Sequence, residues 1–462
     1  MNARKLNRRD FLKMAGLGGV GLAMAACAPA AAPTGAAPAT NANSAASATP
    51  AAASNAGPVP LELWAPHTFD SPQNIRLTDF VTTNYLPKHP NIQFKFTQIP
   101  GDYAQKFTTS AAGGTLPDMF AVDGINMATY SKRGLTAEIV GIDPTILNDF
   151  YPPAREEMEF EGKVYGSVIE SNAQAFKINQ DMMDKAGVKM PTTWDEMVTI
   201  GQELTIDTAG KKASESGFNP DALKQSAFET WCCTGEGSTW MILSWIWSNG
   251  GDVYDASKKV TIADDKAVEA VQFLSDLIKK HHIWAKAGTM QAGPEGTYYG
   301  SLVAWSETGA FDLANLTQSN PPKFKWDVKE VPAKTAGGKF VSGVGGWLES
   351  AYKAGKHVPE SIEYLIWMMS DDYQLHASKY GYAVTGRKSI AEQRLKEVPQ
   401  LKTFLDCMAV GKARPRSTEY PAITDALQQA FDESIFGDRS PKDALSDAAK
   451  KISDALTKEA GS

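Results

Sequence analysis

Cysteine and histidine are scarce in this chain of 462 residues, which has four of the first and six of the second. Four cysteines (Cys27, Cys232, Cys233, Cys407) over such a length exclude a disulfide-dense scaffold. No CxxC pair and no HExxH occurs, so the common zinc and thioredoxin-type spacings are missing. GxSxG and P-loop patterns are absent too, as are haem, iron–sulfur and flavin signatures, and neither a metal nor a cofactor is expected. Basic charge is in deficit: 46 Lys and Arg face 53 Asp and Glu, for a net charge of −7. That balance argues against nucleic-acid binding through a basic surface. What remains, 43% hydrophobic and 21% charged, excludes a polytopic membrane protein and a wholly disordered chain. The length suits two or three domains of about 150 residues.

Residues 1–26 read as an export signal. Arg8-Arg9 with Phe11-Leu12-Lys13 resembles the twin-arginine motif, and the apolar, Gly-rich run from Met14 to Ala26 is too short to span roughly 30 Å of hydrocarbon. Leu22-Ala23-Met24-Ala25-Ala26-Cys27 resembles a bacterial lipobox, which makes Cys27 the expected lipidation site. A cleaved secretory signal with an incidental cysteine is the alternative. Gly16 to Gly21 matches GxGxxG, but it follows no strand and opens no amphipathic helix, so it carries no nucleotide reading. Removal of residues 1–26 takes the net charge to −11. Residues 28–60 hold no charged and no aromatic side chain. Such a composition cannot bury enough apolar surface to offset the entropy of ordering, so 27–60 is expected to be a disordered tether.

From Leu61 the pattern alternates. Leu61 to Trp64 reads as a strand, and Ser71-Pro72 as the cap and first-turn proline of a helix reaching about Tyr85. Ile92, Phe94 and Phe96 alternate with polar residues, as in a half-buried strand. Asp102 caps a helix carrying Tyr103, Phe107 and Ala111, and Pro117 to Val122 forms a strand ending at Asp123-Gly124. Thr193 to Glu196 is a capping box, Asp264 opens an amphipathic helix, and Ser440-Pro441 opens the last one. Segment 207–230 is polar and irregular, expected to be a loop with one short helix. Strands alternating with helices predict an α/β fold with mainly parallel sheets.

The order of these motifs resembles the extracellular solute-binding proteins of ABC importers, in the carbohydrate-binding family that includes maltose-binding proteins. The segments that carry the resemblance include Gly113 to Asp118, Gly134 to Glu138, Gly162 to Gly166, Ile178 to Met182, Pro191 to Glu196, Asn249 to Gly251 and Gly343 to Trp347, spread from about Leu61 to Leu456. The resemblance implies the two-lobe periplasmic-binding-protein fold of type II, with helices flanking the sheets and a ligand cleft between the lobes. Residues 60–170 plus 332–370 would form the N-terminal lobe and 171–331 plus 371–462 the C-terminal lobe. The chain would cross near Glu170, Val331-Pro332 and Met369. The implied function is non-catalytic: a monomer, exported and lipid-anchored to the outer face of the cytoplasmic membrane, closes on a carbohydrate and delivers it to membrane permease subunits.

A sugar offers C–H faces to aromatic rings and a rim of hydroxyls to carboxylates and amides. Loops after strands are where ligands bind in parallel-sheet proteins, which selects Trp64 and His67 after the first strand and Asp123 after the third. Glu170 and Asn172 lie at the first crossover. Trp347 follows Gly345-Gly346. By resemblance Phe311 stands where the family carries a stacking tryptophan, Tyr420 matches another stacking aromatic, and Trp240 opens a cleft-lining helix. Of Trp231, Trp240, Trp245 and Trp247, at least one is expected in the cleft and one in the core; Trp194, Trp284 and Trp367 are assigned to core. A phosphate-bearing ligand such as glycerol phosphate would want an arginine in the cleft; Arg387 and Arg414 are candidates, with surface placement expected for both. A polyol is a further option, and a secreted carbohydrate-active enzyme with paired carboxylates is the rival from another class. His281-His282 diverge near a helix end and lack a third ligand, so they read as surface or cap residues. Cys232-Cys233 leaves a strained disulfide and two reduced thiols both open.

Overall fold

The computed structural model describes residues 57–66, 78–99, 102–230, 235–293, 296–380 and 384–461. Cys27, His67, the expected helix start at Ser71-Pro72, Trp231 and Cys232-Cys233 lie outside the described residues. The chain first lays down β1 (Val59–Pro66), β2 (Ile92–Ile99), β3 (Met119–Asp123) and β4 (Ser167–Val168). It continues with β5 (Gln174–Asn179), β6 (Ile206–Asp207), β7 (Leu223–Thr230), β8 (Val303–Gly309) and β9 (Trp326–Lys329), then returns as β10 (Trp347–Ala351). These strands form two five-stranded sheets, ordered β2-β1-β3-β10-β4 and β9-β5-β8-β7-β6. In β1 the alternation works as expected, with Leu61, Leu63 and Ala65 buried and Glu62 and Trp64 on the opposite face.

The expectation of mainly parallel sheets needs correction: both sheets are mixed. β1 runs parallel to β2 and β3, and β7 parallel to β8, but β10 is antiparallel to β3 and β4, and β5 is antiparallel to β8 and β9. β6 is antiparallel to β7 as well. Two of the antiparallel strands, β5 and β10, each follow a crossing between sheets, where no βαβ unit dictates direction. Segment 207–230 also departs from expectation. It contains β7, seated between β8 and β6, whose Ser226, Ala227 and Phe228 are buried. Lys224, Gln225 and Glu229 mask the apolar signal of that strand.

The helices fall as read. Asp102 caps α1 (Tyr103–Ala112) by accepting from Gln105 N–H, Thr193 caps α3 (Trp194–Leu204) by accepting from Glu196 N–H, and between them lies α2 (Pro152–Met158). α4 (Gly235–Ser248) is apolar on all sides and buried from Ser238 to Trp247. Around it pack α5 (Asp265–Lys279), α8 (Tyr420–Phe431) and α9 (Pro441–Ala460), in a core that includes Trp194, Phe228, Trp245, Trp247 and Trp284. The first sheet has its own core, to which α6 (Val358–Met368) and α7 (Asp371–Tyr380) contribute Tyr364, Tyr373 and Ala377, with Trp367 half-buried beside them.

These two cores move the expected crossing points. Val331 and Phe340 pack in the core of the second sheet, Phe340 edge-on to Trp245 at 5.8 Å, so the chain stays there beyond Val331-Pro332. Burying a phenylalanine contributes roughly 1.5–3 kcal/mol, which ties this segment to the second lobe. Likewise Tyr373 and Ala377 belong to the first core, so the last crossing comes after Met369.

Candidate functional site

Three passes of the chain meet between the sheets. Ile169 and Glu170 both donate their N–H groups to Trp347 O at 2.9 and 3.2 Å. Asn172 and Gly345 exchange backbone bonds of 2.7 and 3.1 Å, and Ser171 N–H donates to Val384 O at 3.0 Å. Residues 169–172 and 345–347 are thus joined by backbone bonds where the chain passes between the sheets.

Side chains converge beside these crossings. Asp123, at the end of β3, accepts from Ile125 N–H and from Arg414 Nη2 at 2.9 Å. Glu236, in the first turn of α4, accepts from Arg414 Nη1 at 2.8 Å and from the Tyr420 hydroxyl at 2.6 Å. Glu157 of α2 lies 3.8 Å from Arg414 Nη2. Burial pushes the Glu157 carboxyl up to about 8 although Arg414 pulls the other way. Glu170 is 7% exposed, its carboxyl hydrogen-bonded by the Asn172 side chain, and its Oε2 has no partner among the described residues. Burial, with Asp123 adding to it, holds Glu170 up at about 7. Asn172 Oδ1 accepts from Phe311 N–H at 2.9 Å, which fixes Phe311 at the end of β8.

The expected surface placement of the two arginines is overturned. Arg414 is buried among carboxylates, and Arg387 is buried with Asp149 Oδ2 at 2.9 Å, Asp371 Oδ1 at 2.6 Å and Met369 O at 2.8 Å. Each interior guanidinium has acidic partners because an unpaired charge there would be far costlier.

The aromatic residues divide. Phe311 and Trp347 are half-buried, Trp347 standing edge-on to Tyr103 at 6.3 Å. Trp240 and Tyr420 were expected as stacking faces, but both are buried. The Trp240 indole donates to Gly343 O at 3.0 Å and stands 6.4 Å from the Phe311 ring, and the Tyr420 hydroxyl is committed to Glu236. They support the site from behind. The Trp64 indole N–H donates to Glu62 Oε1 at 3.0 Å, Lys106 Nζ lies 5.2 Å from its ring, and its backbone oxygen accepts from the Tyr103 hydroxyl at 3.4 Å. His282 hydrogen-bonds Ile278 O through Nδ1, as a helix-end residue would. Among the described residues no group of three His, Cys, Asp or Glu could hold a metal, and no helix is long and apolar enough to cross a membrane.

Sequence reasoning missed Glu157, Glu236 and the role of Arg414. Glu157 is one of two adjacent acids in α2, and nothing in the sequence distinguishes it from Glu156. Glu236 sits in the tryptophan-rich stretch, which was a usable signal.

A family model for bacterial extracellular solute-binding proteins matches residues 81–403. A probable ABC transporter-binding protein of Deinococcus radiodurans is 25% identical over 401 residues, covering 79% of this chain and 86% of that one. Among solved structures, the cyclic alpha-maltosyl-1,6-maltose binding protein of Arthrobacter globiformis has a TM-score of 0.70 at 22% identity, covering 87% of this chain and all of that one. UgpB from Mycobacterium tuberculosis, in complex with glycerophosphocholine, has a TM-score of 0.72 at 17% identity, again over 87% of this chain and 100% of its own. With its two-sheet α/β architecture, the chain belongs to the bacterial extracellular solute-binding proteins, a non-enzymatic family.

Proposed function

We propose that this protein captures a neutral sugar or oligosaccharide between its lobes and delivers it to membrane permease subunits. The carrying observation is the hinge cluster, where hydrogen-bonding groups of Asp123, Glu170 and Asn172 adjoin the half-buried rings of Phe311 and Trp347. Carboxylate and amide suit hydroxyls, and ring faces suit the C–H surface of a pyranose. The sugar recognised by the Arthrobacter globiformis protein supports this class. The glycerophosphocholine bound to UgpB raises a phosphodiester as a second reading, and the buried Arg414 is the observation in its favour. That guanidinium already faces Asp123, Glu157 and Glu236, so little positive charge remains for a phosphate.

A thermal-shift panel of mono- and oligosaccharides, polyols and glycerol phosphates separates the readings. A bound ligand at about 100 times its dissociation constant stabilises by roughly 2.7 kcal/mol. Stabilisation by a neutral saccharide, lost in Phe311→Ala and Trp347→Ala proteins that melt normally without it, is the expected result. A response confined to glycerol phosphates would replace the sugar reading.

We also propose that Cys27 is lipidated and that residues 27–60 tether the lobes to the outer face of the membrane after twin-arginine export. Cys27→Ser is expected to release the protein from the membrane fraction and to abolish incorporation of a labelled fatty acid. Unchanged membrane retention and labelling would exclude the anchor.

A further inference from the structure

Arg414 joins elements of both lobes. It is 6% exposed, and its neighbours in the chain travel with the second lobe: Lys412–Ala413 pairs with Gly343–Val344, and α8 follows in the second core. Nη1 bonds Glu236, at the start of α4 in that lobe, at 2.8 Å. Nη2 reaches across to Asp123, at the end of β3 in the first lobe, at 2.9 Å, and lies 3.8 Å from Glu157 of α2. The seat is closely fitted. A Cβ at Gly345 would lie 2.6 Å from Nη2, the Tyr420 hydroxyl shares Glu236 Oε1 with the guanidinium, and the Thr424 hydroxyl holds Glu236 Oε2. A neutral bond runs along the same seam, from Thr129 Oγ1 to Thr418 O at 3.1 Å.

We propose that Arg414 is a positioning residue that clasps the lobes together, setting how much of the solute-free protein is closed. This rests on the capture reading, in which the lobes open and shut. Opening separates Asp123 and Glu157 from the guanidinium, and an arginine fork grips two carboxylates in a way that one ammonium cannot. A ligand that binds the closed state draws on whatever fraction is already closed, so the clasp regulates apparent affinity without touching the solute.

Small-angle X-ray scattering of the solute-free protein tests this. Wild type is expected to scatter as the compact arrangement described here. Asp123→Asn and Arg414→Met should both shift to a larger radius of gyration, with Arg414→Lys between them and wild type. Circular dichroism and melting curves confirm that each variant is folded. Asp123 is half-buried at the surface of the cluster, so Asp123→Asn keeps the test decisive if Arg414→Met does not fold. A folded Asp123→Asn protein with unchanged scattering overturns the clasp. Because no solute is used, that outcome is separate from a panel in which no sugar binds.

Discussion

Glu349→Gln is expected to raise the melting temperature at pH 8 by several degrees and to leave it nearly unchanged at pH 5. Glu349 lies in the middle of β10, opposite Ala121 of β3 and Ser167 of β4, and is 5% exposed. Its Oε2 has no partner among the described residues, and burial alone pushes its carboxyl from 4.5 up to about 8. Burial, with the charge of Glu349 adding to it, holds the phenols of Tyr103, Tyr364 and Tyr373 above their usual range. The folded protein therefore keeps a proton on Glu349 between about pH 4.5 and 8, where the unfolded chain has lost it. Stability falls as pH rises through that window and levels off above it. At about 1.4 kcal/mol per pKa unit the full effect is a few kcal/mol, which corresponds to several degrees in a protein of this size. Glutamine keeps the shape and the donor of the protonated acid, so the gain appears only where the carboxyl would ionise. Glu307, fully buried in β8 with a Trp245 N–H donating to it at 3.1 Å, is also raised to about 8 and should show the same sign and a similar size. Equal shifts at both pH values would mean the gain comes from packing and not from charge.

Gly346→Ala should lower the melting temperature by several degrees and disturb the register of the segments packed against it. A methyl group there would stand 2.0 Å from the backbone oxygen of Glu170, which no rotamer change relieves. Gly346 O also accepts from Gly124 N–H at 3.1 Å, and Trp347 O takes the two bonds from residues 169 and 170. The clash therefore pushes apart the segments that hold Glu170, Asn172 and Trp347 together, and solute binding should be lost with stability. Gly113→Ala is the control. Its φ is −85°, and the added carbon would meet nothing closer than 3.5 Å. Melting and ligand titration of both variants check the pair, and a Gly346→Ala protein that behaves like Gly113→Ala would exclude the tight approach.

Much of the architecture was legible because local patterns carried it. The alternation in Ile92–Ile99, the caps at Asp102, Thr193 and Ser440, and the apolar stripe of Asp265–Lys279 each report burial that the segment meets by itself. β7 was not legible, because a strand flanked on both sides does not need apolar residues at every inward position, and Lys224, Gln225 and Glu229 read as loop. For the candidate site, Asp123, Glu170, Asn172, Phe311 and Trp347 lie beside the chain crossings, the Trp64 indole is bound to Glu62, and Trp240 and Tyr420 are buried, an arrangement that no local pattern of sequence prints.

Hydrophobic period and capping are short-range properties, so the amino-acid sequence by itself determined the alternating strands and helices of an α/β fold, and the two lobes and the binding role followed from the resemblance of its motif order to solute-binding proteins. Which strands run antiparallel, where the chain crosses back, and which of many acids faces Arg414 were decided only by tertiary structure. Those outcomes depend on contacts between segments hundreds of residues apart, such as Arg414 with Asp123, and on burial that gives a charge its value. No local window of sequence contains either quantity.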